Sequence, residues 1–165
     1  MDFVHDMLSN GRSVRVLTVL DVYSRQCVAL HAGVGFRGND VAQVLNEAAA
    51  RLGRLPKVIS VDNGTEFTSR ALDHWAYWNQ VKLDFSRPGK PTDNPFIEAF
   101  NRSLRRECLS QHWFIDLDDA QRTHQTWKDE YNNVRPHSSL QDRTPVLFAD
   151  GGHFIPGPTR LGFSP

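Results

Sequence analysis

The sequence predicts an α/β fold: one five-stranded mixed sheet flanked by helices. Three observations carry this. Residues 14–22 (V-R-V-L-T-V-L-D-V) are β-branched and almost continuously apolar, as in a strand buried on both faces. Val41, Val44, Leu45, Ala48, Ala49 and Leu52 then recur at helical spacing. Finally, strand-like and helix-like stretches alternate through the rest of the chain, an order that builds parallel pairs.

Taken in order, residues 2–7 read as a first strand, and S-N-G at 9–11 as the turn into 14–22. Tyr23, Ser24 and Arg25 make a tight connection to a third strand at 27–32, which completes an antiparallel meander. Asn39 or Asp40 caps the helix that follows; Gly53 stops it, with Pro56 just beyond. Residues 58–61 form a short strand, parallel to a neighbour, and D-N-G at 62–64 is a turn signature. Thr68 or Ser69 caps a helix carrying Leu72, Trp75, Ala76 and Trp78, and residues 81–85 make the fifth strand. Residues 87–95 hold three prolines and a glycine and read as a loop.

With Asp93 or Asn94 as cap and Pro95 at the first helical position, a helix should reach Cys108, its stripe formed by Ile97, Phe100, Leu104 and Cys108. Asp116 caps a further helix to about residue 131. Residues 1–149 form one domain, and the Pro- and Gly-rich stretch 150–165 is a coil tail.

At 165 residues and 18.8 kDa the chain can bury a full core, and no apolar run is long enough to suggest a membrane span. The acidic start M-D-F-V-H-D lacks a signal-peptide layout, so the expected location is the cytoplasm. Cys27 and Cys108 lie in apolar settings without zinc-finger spacing and read as buried thiols. Lys plus Arg and Asp plus Glu number 19 each. That balance argues against a stand-alone nucleic-acid binder, whose grip comes from neutralising phosphates, but not against a catalytic core with a local basic patch.

The carboxylates are the candidate chemistry. Phosphodiester cleavage can be run by two divalent cations about 3.5–4 Å apart, one activating the attacking oxygen and one stabilising the leaving oxygen. Such ions want a few carboxylates on rigid elements. Asp62 ends a buried strand, where open α/β sheets place ligands. Glu98 flanks the apolar stripe of its helix. Asp2 and Asp6 share a strand face, and spacing alone leaves either as the third ligand.

Several motifs resemble one family in the same order. D-N-G-T-E-F-T-S at 62–69 and R-P-G-K-P-T-D-N-P-F-I-E-A-F-N at 87–101 are similar to the second and third blocks of the retroviral-type integrase core. They are closest in kind to insertion-sequence transposases of the IS-three group. That family spaces its Asp and Glu by 35 residues, as Asp62 and Glu98 are spaced here. D-V-Y-S-R at 21–25, and Y-N-N-V-R-P-H-S-S-L at 131–140 with Thr144 and Pro145, resemble its other signatures.

The resemblance implies an RNase H-like fold and selects Asp2, with Asp62 and Glu98, as the catalytic and metal-binding triad. It implies two Mg²⁺ or Mn²⁺ ions and a DDE transposase that cleaves transposon ends and joins their 3′ hydroxyls to target DNA. It also implies a homo-oligomer. Family members carry an upstream helix-turn-helix DNA-binding region that this stretch lacks, so the competing reading is a catalytically silent DNA- or partner-binding fragment.

Lys90, Arg102, Arg105 and Arg106 are the expected DNA-binding patch, the three arginines on or near the Glu98 side of the helix, and Asn101 is a phosphate or base contact. Glu66 reads as a turn or helix-start residue, with a fourth metal ligand as the alternative. His137 reads as structural within its loop, and Trp75, Trp78, Trp113 and Trp127 as core or interface.

Overall fold

The computed structural model describes residues 1–87 and 94–151. Strands β1 (Asp2–Met7), β2 (Ser13–Leu20) and β3 (Cys27–Gly33) lead into helix α1 (Gly38–Leu52), strand β4 (Val58–Val61) and helix α2 (Arg70–Trp78). Strand β5 (Lys82–Phe85) and helices α3 (Pro95–Glu107), α4 (Leu117–Asn133) and α5 (Pro145–Ala149) complete the order. The last helix, and single 3₁₀ turns at Leu109–Gln111 and Ser138–Leu140, are too short for periodicity to reveal.

The first three strands form the expected antiparallel meander, with Asp2 opposite Thr18 and Thr18 opposite Leu30. The S-N-G turn closes with the Gly11 amide donating to the Leu8 carbonyl at 2.9 Å, Gly11 adopting φ +83°. β4 and β5 pair in parallel, Val58 with Lys82 through Val61 with Phe85. The expected single ladder of five strands needs correction: the described strands hydrogen-bond as a group of three and a group of two. Next to β1, the Met1 ammonium reaches β4, donating to the Ser60 carbonyl at 2.8 Å. Val19 and Leu20 of β2 and Val58 and Ile59 of β4 line one cavity of about 530 Å³.

Alternation along β2 explains the layering. Val14 and Val16 join Val4, Leu30, Ile97, Phe100, Leu104 and Tyr131 in one core. Leu17 and Val19 point the other way, joining Val41, Leu45, Val61, Phe67, Leu72 and Trp75. The strands are thus sandwiched between α1 and α2 on one side and α3 and α4 on the other.

The caps differ partly from expectation. α1 starts at Gly38 after Arg37, and Asp40 acts from inside the first turn, accepting from the Arg37 amide at 2.6 Å. Glycine is required at 38, because a Cβ there would lie 1.7 Å from Ser69 Oγ, the N-cap oxygen of α2. Asp116 caps α4 as expected, and Asn94 precedes Pro95 without a side-chain cap bond. Both cysteines are buried free thiols. Trp75 and Trp127 pack in or against the cores, whereas Trp78 (79% exposed) and Trp113 (87%) are surface residues, which leaves only the interface half of the core-or-interface reading for those two. No helix among the described residues is long and apolar enough to cross a membrane. Asp93, the loop residues 88–92 and the tail beyond 151 lie outside the described residues.

One core residue makes the fold acid-sensitive. His124 on α4 is 1% exposed, packs edge-on against Phe114 (ring centroids 5.2 Å apart), and neither ring nitrogen has a partner among the described residues. Burial, and secondarily the charge of His112, lowers its pKa from 6.5 to about 4. Between those values the unfolded chain binds the proton and the folded chain does not, so stability falls as pH drops through this window. The full effect is roughly 3 kcal/mol. His124→Phe should flatten this acid limb in urea titrations between pH 6.5 and 4; an unchanged limb would place the acid sensitivity elsewhere.

Candidate active site

Asp62 follows β4 directly and is shaped by its own turn. Its Oδ1 accepts from the Gly64 amide at 2.8 Å, the Asx-turn geometry that favours Asp before glycine. Asn63 Nδ2 donates to the Ser86 carbonyl at 3.0 Å, tying the loop to the end of β5. Phe67, 1% exposed, anchors the far side, and the Phe67 and Thr68 amides both donate to the Gly64 carbonyl at 3.0 Å. Gly64 is confined between two carboxylates: a Cβ there would lie 2.9 Å from Asp62 Oδ1 and 3.1 Å from Glu66 Oε2.

Asp2 opens β1. Its Oδ1 accepts from the Phe3 amide and its Oδ2 from Asn101 Nδ2, both at 2.7 Å. Thr18 Oγ1 donates to its carbonyl at 3.1 Å from the neighbouring strand. Burial raises the Asp2 pKa, the nearby Asp62 charge adds to this, and the bonds from Phe3 and Asn101 with the Met1 ammonium oppose it without reversing it. That ammonium is itself pushed down to about 6 by burial, against the pull of both Asp2 and Asp62. The two aspartates therefore share one electrostatic neighbourhood.

Helix α3 supplies the third candidate. Its stripe behaves as expected: Ile97, Phe100 and Leu104 are buried, with Cys108 just past its end. This seats Asn101 against Asp2 and leaves Glu98 one turn earlier, partly exposed, with Oε2 4.0 Å from Arg102 Nη1. Among the described residues no three His, Cys, Asp or Glu side chains are grouped closely enough to hold a metal ion. Asp2 and Asp62 come together; Glu98 lies on the adjoining helix without closing the group.

The residues nevertheless suit a divalent cation. Two carboxylates are hard oxygen donors with acceptor capacity left over. Asp2 is held in a place where burial and Asp62 both disfavour its charge, a penalty that a shared cation would relieve.

Three of the expected DNA contacts, Asn101, Arg105 and Arg106, are engaged within the protein. Arg105 Nη2 donates to the His5 carbonyl of β1 at 3.1 Å, and Arg106 Nη2 to Glu107 Oε1 at 2.6 Å. Arg102 is exposed beside Glu98, Asn101 spends its amide on Asp2, and Lys90 lies outside the described residues. Glu66 pairs with Arg15 rather than merely serving its turn.

Sequence reasoning missed three ties. Asn132 brackets Cys27, accepting from its amide at 2.8 Å and donating to its carbonyl at 2.9 Å. Arg135 grips Glu107 with two bonds of 2.6 Å. Arg15 meets Glu66, and a lone cation within an apolar strand was the available signal. His137 is structural as expected, its amide donating to Arg143 and its ring lying 4.8 Å from that of Tyr131.

Asp62→Asn should lower the Asp2 pKa, because it removes a neighbouring like charge. Carboxyl ¹³C titration by NMR measures this directly; an unmoved Asp2 would show that the two groups are not neighbours.

Two family models, both described as integrase core domain, match residues 1–91 and 79–145. An uncharacterized 31.7 kDa protein of insertion element IS407 from Burkholderia multivorans is 47% identical over 149 residues, covering 90% of this chain and 53% of its own length. The chain spans about half the length of the curated relatives it matches. Among solved structures, the simian T-cell lymphotropic virus intasome complexed with PP2A regulatory subunit B56 gamma superposes with TM-score 0.77 at 20% identity. That match covers 99% of this chain and 58% of the other. The HTLV-2 integrase catalytic core domain in complex with magnesium gives 0.69 at 16% identity, covering 89% and 91%. The fold is therefore RNase H-like, that of the integrase catalytic core. With one family model spanning more than half of it, this chain belongs to the integrase core domain family, alongside the proteins of bacterial insertion elements.

Proposed function

We propose that this chain is the catalytic core of a DDE transposase, carrying out metal-dependent DNA strand cleavage and 3′-hydroxyl strand transfer in the transposition of an insertion sequence. The observation that carries this reading is the bond from Asn101, on the same helix as Glu98, to Asp2, whose carboxylate also feels the charge of Asp62. The insertion-element relatives support the biological setting, and the magnesium in the HTLV-2 core supports the choice of metal.

Asp2, Asp62 and Glu98 would hold two Mg²⁺ or Mn²⁺ ions. Such ions, when bound, activate the attacking water or hydroxyl and stabilise the leaving oxygen. Around them the chain's own groups have separate tasks. Asn101 orients Asp2 by occupying one of its oxygens, and the Gly64 amide does the same for Asp62. Gly64 leaves room for a phosphate to approach the loop, as no Cβ shields the carboxylates.

Arg102, Arg105 and Arg106 line the α3 surface and would contact the phosphate backbone, with Lys90 a further candidate from earlier in the sequence. Arg102 is the least committed of these three arginines, and releasing its 4.0 Å contact with Glu98 would free both the cation for DNA and the carboxylate for metal. The partners are transposon ends and target DNA, with a second copy of the chain and an end-recognising domain completing the assembly.

Calorimetric titration with Mn²⁺, alone and with a short DNA duplex, tests the reading. Saturable binding lost in both Asp62→Asn and Glu98→Gln, each shown to be folded, is expected. Binding indifferent to both substitutions would contradict a shared site.

A further inference from the structure

Glu66 lies within the D-N-G-T-E-F loop, four residues after Asp62, and is only 9% exposed. An enclosed carboxylate needs a cationic partner. It finds one on a different element: Arg15 of β2, whose Nη1 donates to Glu66 Oε1. Burial works to raise the Glu66 pKa, but the bond and charge from Arg15 outweigh it and hold the carboxyl below its ordinary range. Oε2 faces the Thr65 hydroxyl at 3.4 Å.

Arg15 also acts in the opposite direction. Its guanidinium lies over the Phe3 ring, 4.0 Å from the centroid, and Phe3 directly follows Asp2. On the loop side Phe67 directly follows Glu66, and its ring stacks on Phe3 with centroids 5.2 Å apart and planes 21° from parallel. Four side chains thus link the first two strands, β1 with Asp2 and its neighbour β2, to the loop carrying Asp62. Arg15 with Glu66 is the polar link, and Phe3 with Phe67 is the apolar one. Asp62 and Glu66 flank Gly64 in one short loop, and a Cβ at that position would lie 2.9 Å from Asp62 Oδ1 and 3.1 Å from Glu66 Oε2.

We propose that Arg15 and Glu66 form a positioning clamp that sets the gap between Asp2 and Asp62, and with it the affinity of the pair for a divalent cation. This rests on the two-metal reading above. Neither clamp residue is a metal ligand, and Glu66 acts through the loop with its Oε1 already committed to Arg15. An apolar pair could fill the space, but a charge-assisted bond has direction and fixes the loop more narrowly than packing alone.

The experiment is Mn²⁺ calorimetry on the whole chain, beside Arg15→Gln, Glu66→Gln, the reversed pair Arg15→Glu with Glu66→Arg, and Asp62→Asn as reference. Each single clamp variant is expected to bind about tenfold more weakly, with most of the loss recovered in the reversed pair. If Arg15→Gln does not fold, Arg15→Lys keeps the charge without the fork and is expected to bind about threefold more weakly. Parental affinity in the clamp variants, while Asp62→Asn loses binding, would overturn the clamp and leave the metal reading intact. Tighter binding in an Arg15 variant would overturn it differently, by showing that Glu66, once released, is itself a ligand. Absence of Mn²⁺ binding by the parent, with and without DNA, would overturn the metal reading and the clamp together.

Discussion

The site depends on how α3 is seated against the first strand. Ile97, Phe100 and Leu104 lie on one face of that helix and are almost wholly withdrawn from water, so the rotation of α3 about its axis is settled by apolar burial. With the rotation set, Asn101 falls over Asp2 and bonds it at 2.7 Å. Glu98 falls one turn earlier, at the rim. A slip of one residue would place a different side chain over Asp2 and move Glu98 round the helix by about 100°. Hydrophobic packing is therefore what aims the polar groups.

The C-terminal signature secures this seating from behind. Tyr131 packs against Phe100, with ring centroids 5.1 Å apart. Asn132 ties α4 to the first residue of β3, and Arg135 grips Glu107 at the end of α3. Burial alone would raise the Glu107 pKa, but the Arg135 guanidinium outweighs it and holds the carboxyl low. Residues that resemble a family signature here act mainly as fasteners: they hold the helix that carries the candidate chemistry, some distance from the carboxylates themselves.

Much of this was legible in the residues. The strand at 58–61, the turn at Asp62, the α3 stripe, the capping of α4 by Asp116 and the buried thiols follow from local pattern, because each depends on neighbours a few positions away. Pairings across long separations were not legible. Arg15 and Glu66 are 51 residues apart, and Cys27 and Asn132 are 105 apart; no local rule matches such partners. The split ladder was missed for a related reason, since strand periodicity gives face and length but not which edges meet. Spacing leaves Asp2 and Asp6 equal and only the family resemblance groups Asp2 with Asp62, while Asn101, expected at DNA, is found on Asp2.

Whether Asp2, Asp62 and Glu98 form one metal-binding group is read out by anomalous diffraction at the manganese edge, from crystals of this chain grown with Mn²⁺ and a short DNA duplex. Manganese peaks in contact with both aspartates are expected, with the Glu98 carboxylate drawn in to join them. Manganese ordered elsewhere on the molecule, with the gap between Asp2 and Asp62 empty, would contradict such a group.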